Sequence, residues 1–231
     1  MTDTQELWQV ALDFFHAHGI VRVSYHVYGE SEGDRRGQSV HTDGFPQDWV
    51  SDYIDGDFAM IDPIPELARL RTRPFLWSEV ETLHPLSEDA RSYLDEFRQR
   101  DLGDGLGMQV FGPNLRNAYV GLGFGTDAPD LSEIDISLLQ VASQALHLCY
   151  CELTEAEDPR PTDLSPRELE VLKWIARGKS NSVISELMGV SPHTVDTLVR
   201  RMFGKLNVRD RTTAAIKGIG AGFLHKGELS D

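Results

Sequence analysis

Residues 165–211, SPRELEVLKWIARGKSNSVISELMGVSPHTVDTLVRRMFGKLNVRDR, constrain this chain more than any other stretch. Ser165-Pro166-Arg167-Glu168 places a hydroxyl at an N-cap, proline at the first helical position and a carboxylate three residues after the cap, a capping-box arrangement. Leu169, Leu172, Ile175 and Ala176 then recur at helical spacing, and Gly178 stops the helix. Ser180-Asn181 caps a second helix, with Val183, Ile184, Leu187 and Met188 expected inward and Gly189 closing it. Ser191-Pro192 starts a third, whose apolar face is Val195, Leu198, Val199, Met202 and Leu206. Its other side exposes His193, Thr194, Thr197, Arg200, Arg201 and Lys205. Helix, glycine turn, helix is the pattern that sets a recognition helix into a major groove. A small packing unit with solvated charges would share the apolar spacing, but the three caps and the basic face favour DNA binding.

The charge distribution agrees. Residues 1–158 carry 29 Asp/Glu against 10 Arg and no Lys, a net −19, whereas residues 159–231 carry 12 Lys/Arg against 8 Asp/Glu, a net +4. Only the back part is suited to a polyanion. The acidic, proline-containing EAEDPRPTD separates the two, and gives an expected division into residues 1–153, a linker 154–163 and residues 164–231.

The segment LSPRELEVLKWIARGKSNSVISELMGVSPHTV…KLNVRDR closely resembles the DNA-binding domain of LuxR-type transcriptional regulators, with Glu168, Leu172, Gly178, Ser191, Thr194, Val195, Lys205 and Leu206 where that pattern has them. Three positions depart from it: a common lysine is Asp196, a common histidine is Leu198 and a common asparagine is Arg201. A carboxylate accepts from a cytosine amino group but repels phosphate, so the resemblance implies a DNA site that differs from the usual one. Thr194, Thr197, Arg200 and Arg201 are the candidates for base contact. Lys179, Ser180, Asn181, Ser191, His193 and Lys205 are the candidates for phosphate.

In the front part, Leu7, Val10, Ala11, Phe14 and Phe15 predict a helix over about residues 4–18. Ile20–Tyr28 alternates as a strand, a polar hairpin-like loop spans residues 29–37, and a return strand is expected at 38–42. Short helices are expected after Pro46 and after Asp62-Pro63, the latter with Leu67, Ala68 and Leu70 inward. Phe75-Leu76-Trp77 reads as a strand. Ser87 caps a helix with Ala90, Tyr93, Leu94 and Phe97 inward, which Gly103 stops. The glycine-rich run 103–107 reads as a turn, and residues 107–112 and 118–125 as two strands. Ile134, Leu138, Val141, Ala145 and Leu148 form a four-three row that serves either as core packing or as a dimer-forming seam. The fold class expected is α+β: an α/β/α sandwich on an antiparallel sheet, followed by a small all-α helix-turn-helix domain.

Trp49 and Tyr53 share a helical face; Trp77 adds a second indole and Asp62 a carboxylate. Large core residues and a helix cap would account for all four. The spacing of Trp49, Tyr53, Asp62-Pro63, Trp77 and Gly105, however, resembles the autoinducer-binding domain of LuxR-type quorum-sensing regulators. That resemblance implies an N-acyl homoserine lactone whose lactone carbonyl takes the Trp49 N–H. The ligand amide N–H would be held by Asp62, with Tyr53 and Trp77 lining the pocket. Two positions depart: a common tyrosine is Phe45 and a common Ser or Thr is Gly121. Each lost neutral hydrogen bond costs about 0.5–1.5 kcal/mol, which burial at about 0.8 kcal/mol per CH₂ offsets, so a long acyl chain is expected.

No HExxH, GxSxG, P-loop or dinucleotide fingerprint is present. Neither an enzyme, nor a metal, nor a cofactor is expected. Cys149 and Cys151, two apart on a helix, cannot pair with each other; an oxidant-sensing role is the least favoured reading. With no signal peptide or spanning run, the expected regulator is cytoplasmic and off the membrane, and a homodimer on a double-stranded promoter palindrome. Control by a non-lactone ligand or a protein partner is the alternative.

Overall fold

A computed structural model of the chain describes residues 3–28, 38–56, 58–125, 134–154, 164–225 and 227. They divide into two compact units, Met1–Gly112 with Arg116–Thr154, and Pro113–Leu115 with Glu155–Asp231. The hairpin-like loop expected at 29–37 and the linker after Thr154 lie outside the described residues.

The first unit runs α1 (Thr4–Ala17), β1 (Arg22–Tyr28), β2 (Gln38–Asp43), α2 (Gln47–Ile54), α3 (Phe58–Ile61), α4 (Pro63–Arg69), β3 (Phe75–Leu76), α5 (Val80–Leu83), α6 (Glu88–Gln99), β4 (Asp104–Val110), β5 (Ala118–Gly125) and α7 (Ile136–Leu153). The strands form one antiparallel sheet in the order β2-β1-β5-β4-β3. Alternation sorts its faces. Val23, Tyr25 and Val27 of β1, Leu106 and Met108 of β4, and Val120 and Leu122 of β5 pack with α1 and α7. The residues between them, Ser24, His26, Gly105, Gly107, Tyr119 and Gly121, face the other way. Each fully buried Val or Leu contributes about 1.5–3 kcal/mol. A one-residue slip would exchange Val23, Tyr25 and Val27 for Ser24 and His26, so the register Ser24↔Gly121↔Gly107 is strongly set.

The second face carries the other core, from α2, α4, α6 and the Trp77 segment: Trp49, Tyr53, Ile64, Phe75, Trp77, Tyr93 and Phe97 with Tyr119. The fold is the expected α/β/α sandwich with an antiparallel sheet, but three local expectations are corrected, and of the two readings of the α7 row the core one fails for Leu138, Val141 and Leu148. Residues 104–107 are not a turn but the start of β4: ideal Cβ atoms at Gly105 and Gly107 would come within 2.7 Å of the Trp77 ring and 2.9 Å of the Phe75 ring, so these glycines admit rings rather than bend the chain. Trp77 opens a 3₁₀ turn (Trp77–Glu79) instead of ending the strand. Leu70 caps α4 and is 66% exposed. In α7 the buried row is Leu139, Ser143, Leu146 and His147; Leu138, Val141 and Leu148 point outward. Ser143 and His147 are polar letters that the hydrophobic row passed over, and their polar atoms are satisfied inside, Ser143 Oγ donating to Leu139 O at 2.8 Å and His147 meeting Tyr25 and the Arg116 carbonyl.

The second unit is helical: α8 (Pro166–Ala176), α9 (Asn181–Met188), α10 (Pro192–Leu206) and α11 (Arg211–Gly220). Ser165, Ser180, Ser191 and Asp210 each accept a first-turn backbone N–H, and Ser165 and Glu168 complete the capping box. Gly189 closes α9 at φ +63°, a conformation glycine adopts without strain. The core joins Val171, Leu172, Ile175, Ile184, Val195, Met202 and Leu206 with Ala214 and Leu224. Val183 and Leu187 are 39% and 50% exposed rather than inward. α11 lies beyond the three helices expected; Asp210 ahead of Arg211-Thr-Thr-Ala-Ala is the N-cap signal that would have found it.

Candidate ligand pocket and DNA-reading surface

Trp49 and Tyr53 stand one turn apart on the buried side of α2, which Pro46 starts. Arg100 holds that helix to α6: its guanidinium bonds Asp52 at 2.7 Å, Asp48 at 3.3 Å and Glu96 at 2.8 Å and lies 5.4 Å from the Trp49 ring centroid. Asp62 is the N-cap of α4, its Oδ1 accepting from Ile64 N at 2.9 Å. Its Oδ2 accepts from the Tyr53 hydroxyl at 2.9 Å. The residue is half-buried, with its carboxylate among phenols. Burial lifts that carboxyl to about 6, although the hydrogen bonds from Ile64, Tyr53 and Tyr93 pull it back. Burial likewise raises the Tyr53, Tyr93 and Tyr119 phenols well above their ordinary range, with the Asp62 charge adding to it. The phenols therefore stay neutral donors.

Trp77 lies across the sheet's glycine floor, since Cβ atoms at Gly105, Gly123 and Gly121 would each fall within 3.2 Å of its ring. Its indole N–H donates to the Tyr119 hydroxyl at 3.2 Å. Among the described residues no group accepts from the Trp49 indole N–H. Trp49, Tyr53, Asp62, Trp77 and Phe45 line one cavity together with Ser24, His26, Thr42, Tyr93 and Tyr119. It measures about 30 Å³. Gly121 is not among the residues that line it, but lies behind Ser24, Trp77 and Tyr119, which are. A Cβ there would stand 2.5 Å from Ser24 Oγ and 2.7 Å from the Tyr119 hydroxyl, so two hydroxyls from neighbouring positions already occupy the space where a side chain would go. Nothing in the sequence places Tyr119 or Ser24 at this cavity, and Tyr93 reads there only as an inward residue of α6. The alternating glycines of 105–107 and 121–123 were the available signal, because they mark where something large approaches a strand.

In the second unit His193, Thr194, Arg200 and Arg201 are exposed on α10, with Thr197 half-buried beside them. Several expected contacts are already engaged inside the unit. Ser180 and Ser191 spend their hydroxyls as caps, and Ser191 also meets Thr194 Oγ1 at 2.9 Å. Thr197 Oγ1 donates to His193 O at 3.0 Å. Lys205 Nζ pairs with the buried Glu168 at 2.7 Å. Burial works to raise the Glu168 carboxyl, but the Lys205 ammonium and the Ser165 hydrogen bonds outweigh it and hold the group below its ordinary value. Asn181 bonds Asp196 and Arg211, and the Lys179 carbonyl accepts from Arg211.

Residues 3–150 match the family model described as an autoinducer binding domain, and residues 162–217 match that of bacterial regulatory proteins of the luxR family. The chain belongs to the LuxR-type quorum-sensing transcriptional regulators. This regulator is 25% identical over 181 residues to the HTH-type quorum sensing-dependent transcriptional regulator RpaR of Rhodopseudomonas palustris, across 78% of this chain and 73% of that protein. It is 29% identical over 180 residues to the transcriptional activator protein TraR of Agrobacterium vitis, across 75% and 76%. In fold it is similar to SdiA of Escherichia coli, with a TM-score of 0.68 at 20% identity over 98% of this chain and 94% of that one. A second SdiA structure, in complex with octanoyl-rac-glycerol, has the same TM-score. Among the described residues no helix is long and apolar enough to cross a membrane.

Proposed function

We propose that this LuxR-type regulator takes an N-acyl homoserine lactone in the Trp49–Asp62–Trp77 cavity and binds a promoter palindrome in the cytoplasm as a homodimer, without metal or other cofactor. The observation that carries the ligand reading is the Asp62 carboxylate, an acceptor set among neutral phenols, with the Trp49 indole N–H on the same cavity. A carboxylate accepts from an amide N–H and an indole N–H donates to a carbonyl, the two complementary groups of such a ligand. With Phe45 and Gly121 adding no hydroxyl, head-group contacts are few, and a long acyl chain contributes the balance through burial. A cavity of about 30 Å³ accepts it by spreading its aromatic wall, so ligand becomes part of the core and stabilises the folded state by RT ln(1 + [L]/Kd).

The test is the melting temperature of the purified protein with lactones from butanoyl to dodecanoyl, and with octanoyl glycerol as a non-lactone acyl comparator. A shift of several degrees with one lactone, absent in Asp62→Asn, is expected. A shift with the glycerol ester alone would move the assignment to a non-lactone ligand. No shift with any of them would leave control by a protein partner.

A further inference from the structure

The recognition helix carries one residue that DNA binding by charge does not explain. Asp196 is the fifth residue of α10, exposed, and one turn before Arg200 on the surface where a helix-turn-helix meets base edges. A carboxylate there opposes the phosphates on both sides of the groove. Yet it is held in place: Asn181 Nδ2 donates to Asp196 Oδ1 at 2.7 Å, and Arg211 Nη1 donates to Asn181 Oδ1 at 2.6 Å. Arg211 also donates to the Lys179 carbonyl, which anchors the guanidinium to the turn before α9. Arginine only donates and an ionised carboxylate only accepts, so the relay leaves the Asn181 amide a single orientation. It spans α11, α9 and α10, and its last member is an exposed carboxylate whose Oδ2 takes no hydrogen bond among the described residues.

We propose that Asp196 reads a cytosine in each half-site, accepting the N4 amino hydrogen through the oxygen that Asn181 does not use. The chemistry selects that base. Guanine presents O6 and N7 and thymine presents O4 and a methyl group, none of which donates. Adenine presents N6–H₂ beside the N7 acceptor, which repels a carboxylate. Cytosine presents a donor with no acceptor of its own beside it. Asn181 and Arg211 act as positioning residues: they hold the carboxylate on the groove side, and they keep it from turning to Arg200, with which it forms no ion pair among the described residues.

The experiment is selection from a randomised duplex library at fixed salt by the full-length protein, with and without a pool of N-acyl homoserine lactones from butanoyl to dodecanoyl. Wild type, Asp196→Ala, Asp196→Asn and Asn181→Ala are compared, with a melting curve for each. Wild type is expected to select cytosine at one position of each half-site by about tenfold or more. Asp196→Ala should drop that position below about threefold while keeping the other positions, and should bind random duplex at least as tightly because a charge opposing phosphate is gone. Asp196→Asn should turn the same position toward adenine, whose N6 and N7 suit an amide. Asn181→Ala should weaken the preference at that position alone. An unchanged consensus from Asp196→Ala overturns the assignment. So does an even loss at all positions with a lowered melting temperature, which would reduce Asp196 to a strut between α9 and α10. A wild-type protein that selects no sequence would remove sequence-specific DNA binding itself and not merely this residue's part in it.

Discussion

Burial lifts the Asp62 carboxyl from its ordinary 3.8 to about 6, so its ionisation opposes folding at neutral pH. Because the folded-state value is the higher one, the contribution to stability is fully present below about pH 4 and is lost as pH rises through about 6. Asp62→Asn should therefore unfold at a higher denaturant concentration relative to wild type at pH 7 than at pH 4, by on the order of 1–2 kcal/mol once partial exposure is discounted, while losing its response to lactone. Urea titrations at the two pH values decide it. On the proposed function, the ligand amide N–H that the carboxylate accepts offsets that cost. At Gly121, Ala should cost about 1–3 kcal/mol by crowding Ser24 and the Tyr119 hydroxyl, and Ser24→Ala in the same chain should recover part of it. Equal stability of Gly121→Ala and wild type would show that the floor is not filled as described. Spacing alone left Trp49, Tyr53, Asp62 and Trp77 as core residues and a cap; the resemblance to the autoinducer-binding domain singled them out, and they line one cavity. Tyr93, Tyr119 and Ser24 were not assigned to it, because they reach the cavity from α6, β5 and β1 at separations that only helix packing and strand pairing close.

Among the helices of the second unit, the Glu168–Lys205 pair ties α8 to α10. Lys205→Ala leaves a buried carboxylate without its cation and should lower stability by about 1–3 kcal/mol. A phosphate contact would also reduce the slope of log affinity against log salt by about 1; Lys205→Ala should leave that slope unchanged, whereas Arg200→Ala or Arg201→Ala should weaken operator binding and leave lactone binding intact. A reduced slope for Lys205→Ala would return the residue to the DNA contacts. The helices of this unit were legible up to Leu206 because each begins with a hydroxyl cap and a local pattern. Which apolar residues point inward was less so: Val183 and Leu187 fit a helical period as well as Ile184 and Met188, and only the positions of α8 and α10 choose between them.

For the whole molecule, the outward row Leu138, Val141 and Leu148 on α7, 39–66% exposed, supports the proposed homodimer, since spaced apolar residues on a helix otherwise waiting in water favour a second copy. Val141→Glu should yield a monomer by sedimentation velocity with the melting temperature of the first unit kept. A dimer that survives would place the contact elsewhere. The sequence by itself determined the elements that local chemistry controls: the capped helices, the charge division between −19 and +4, the alternating strands, and the basic outer side of the third capped helix. Tertiary structure alone decided which of them meet. Glycines that looked like a turn became the floor beneath an indole, a heptad-like row became an outer surface, and Asp196 acquired a relay from α9 and α11. The physical reason is range. Caps and periodicity act over a few residues, whereas the Asp196 relay, the Glu168–Lys205 pair and the Trp77–Tyr119 contact join side chains 15, 37 and 42 positions apart, whose partners no local pattern names.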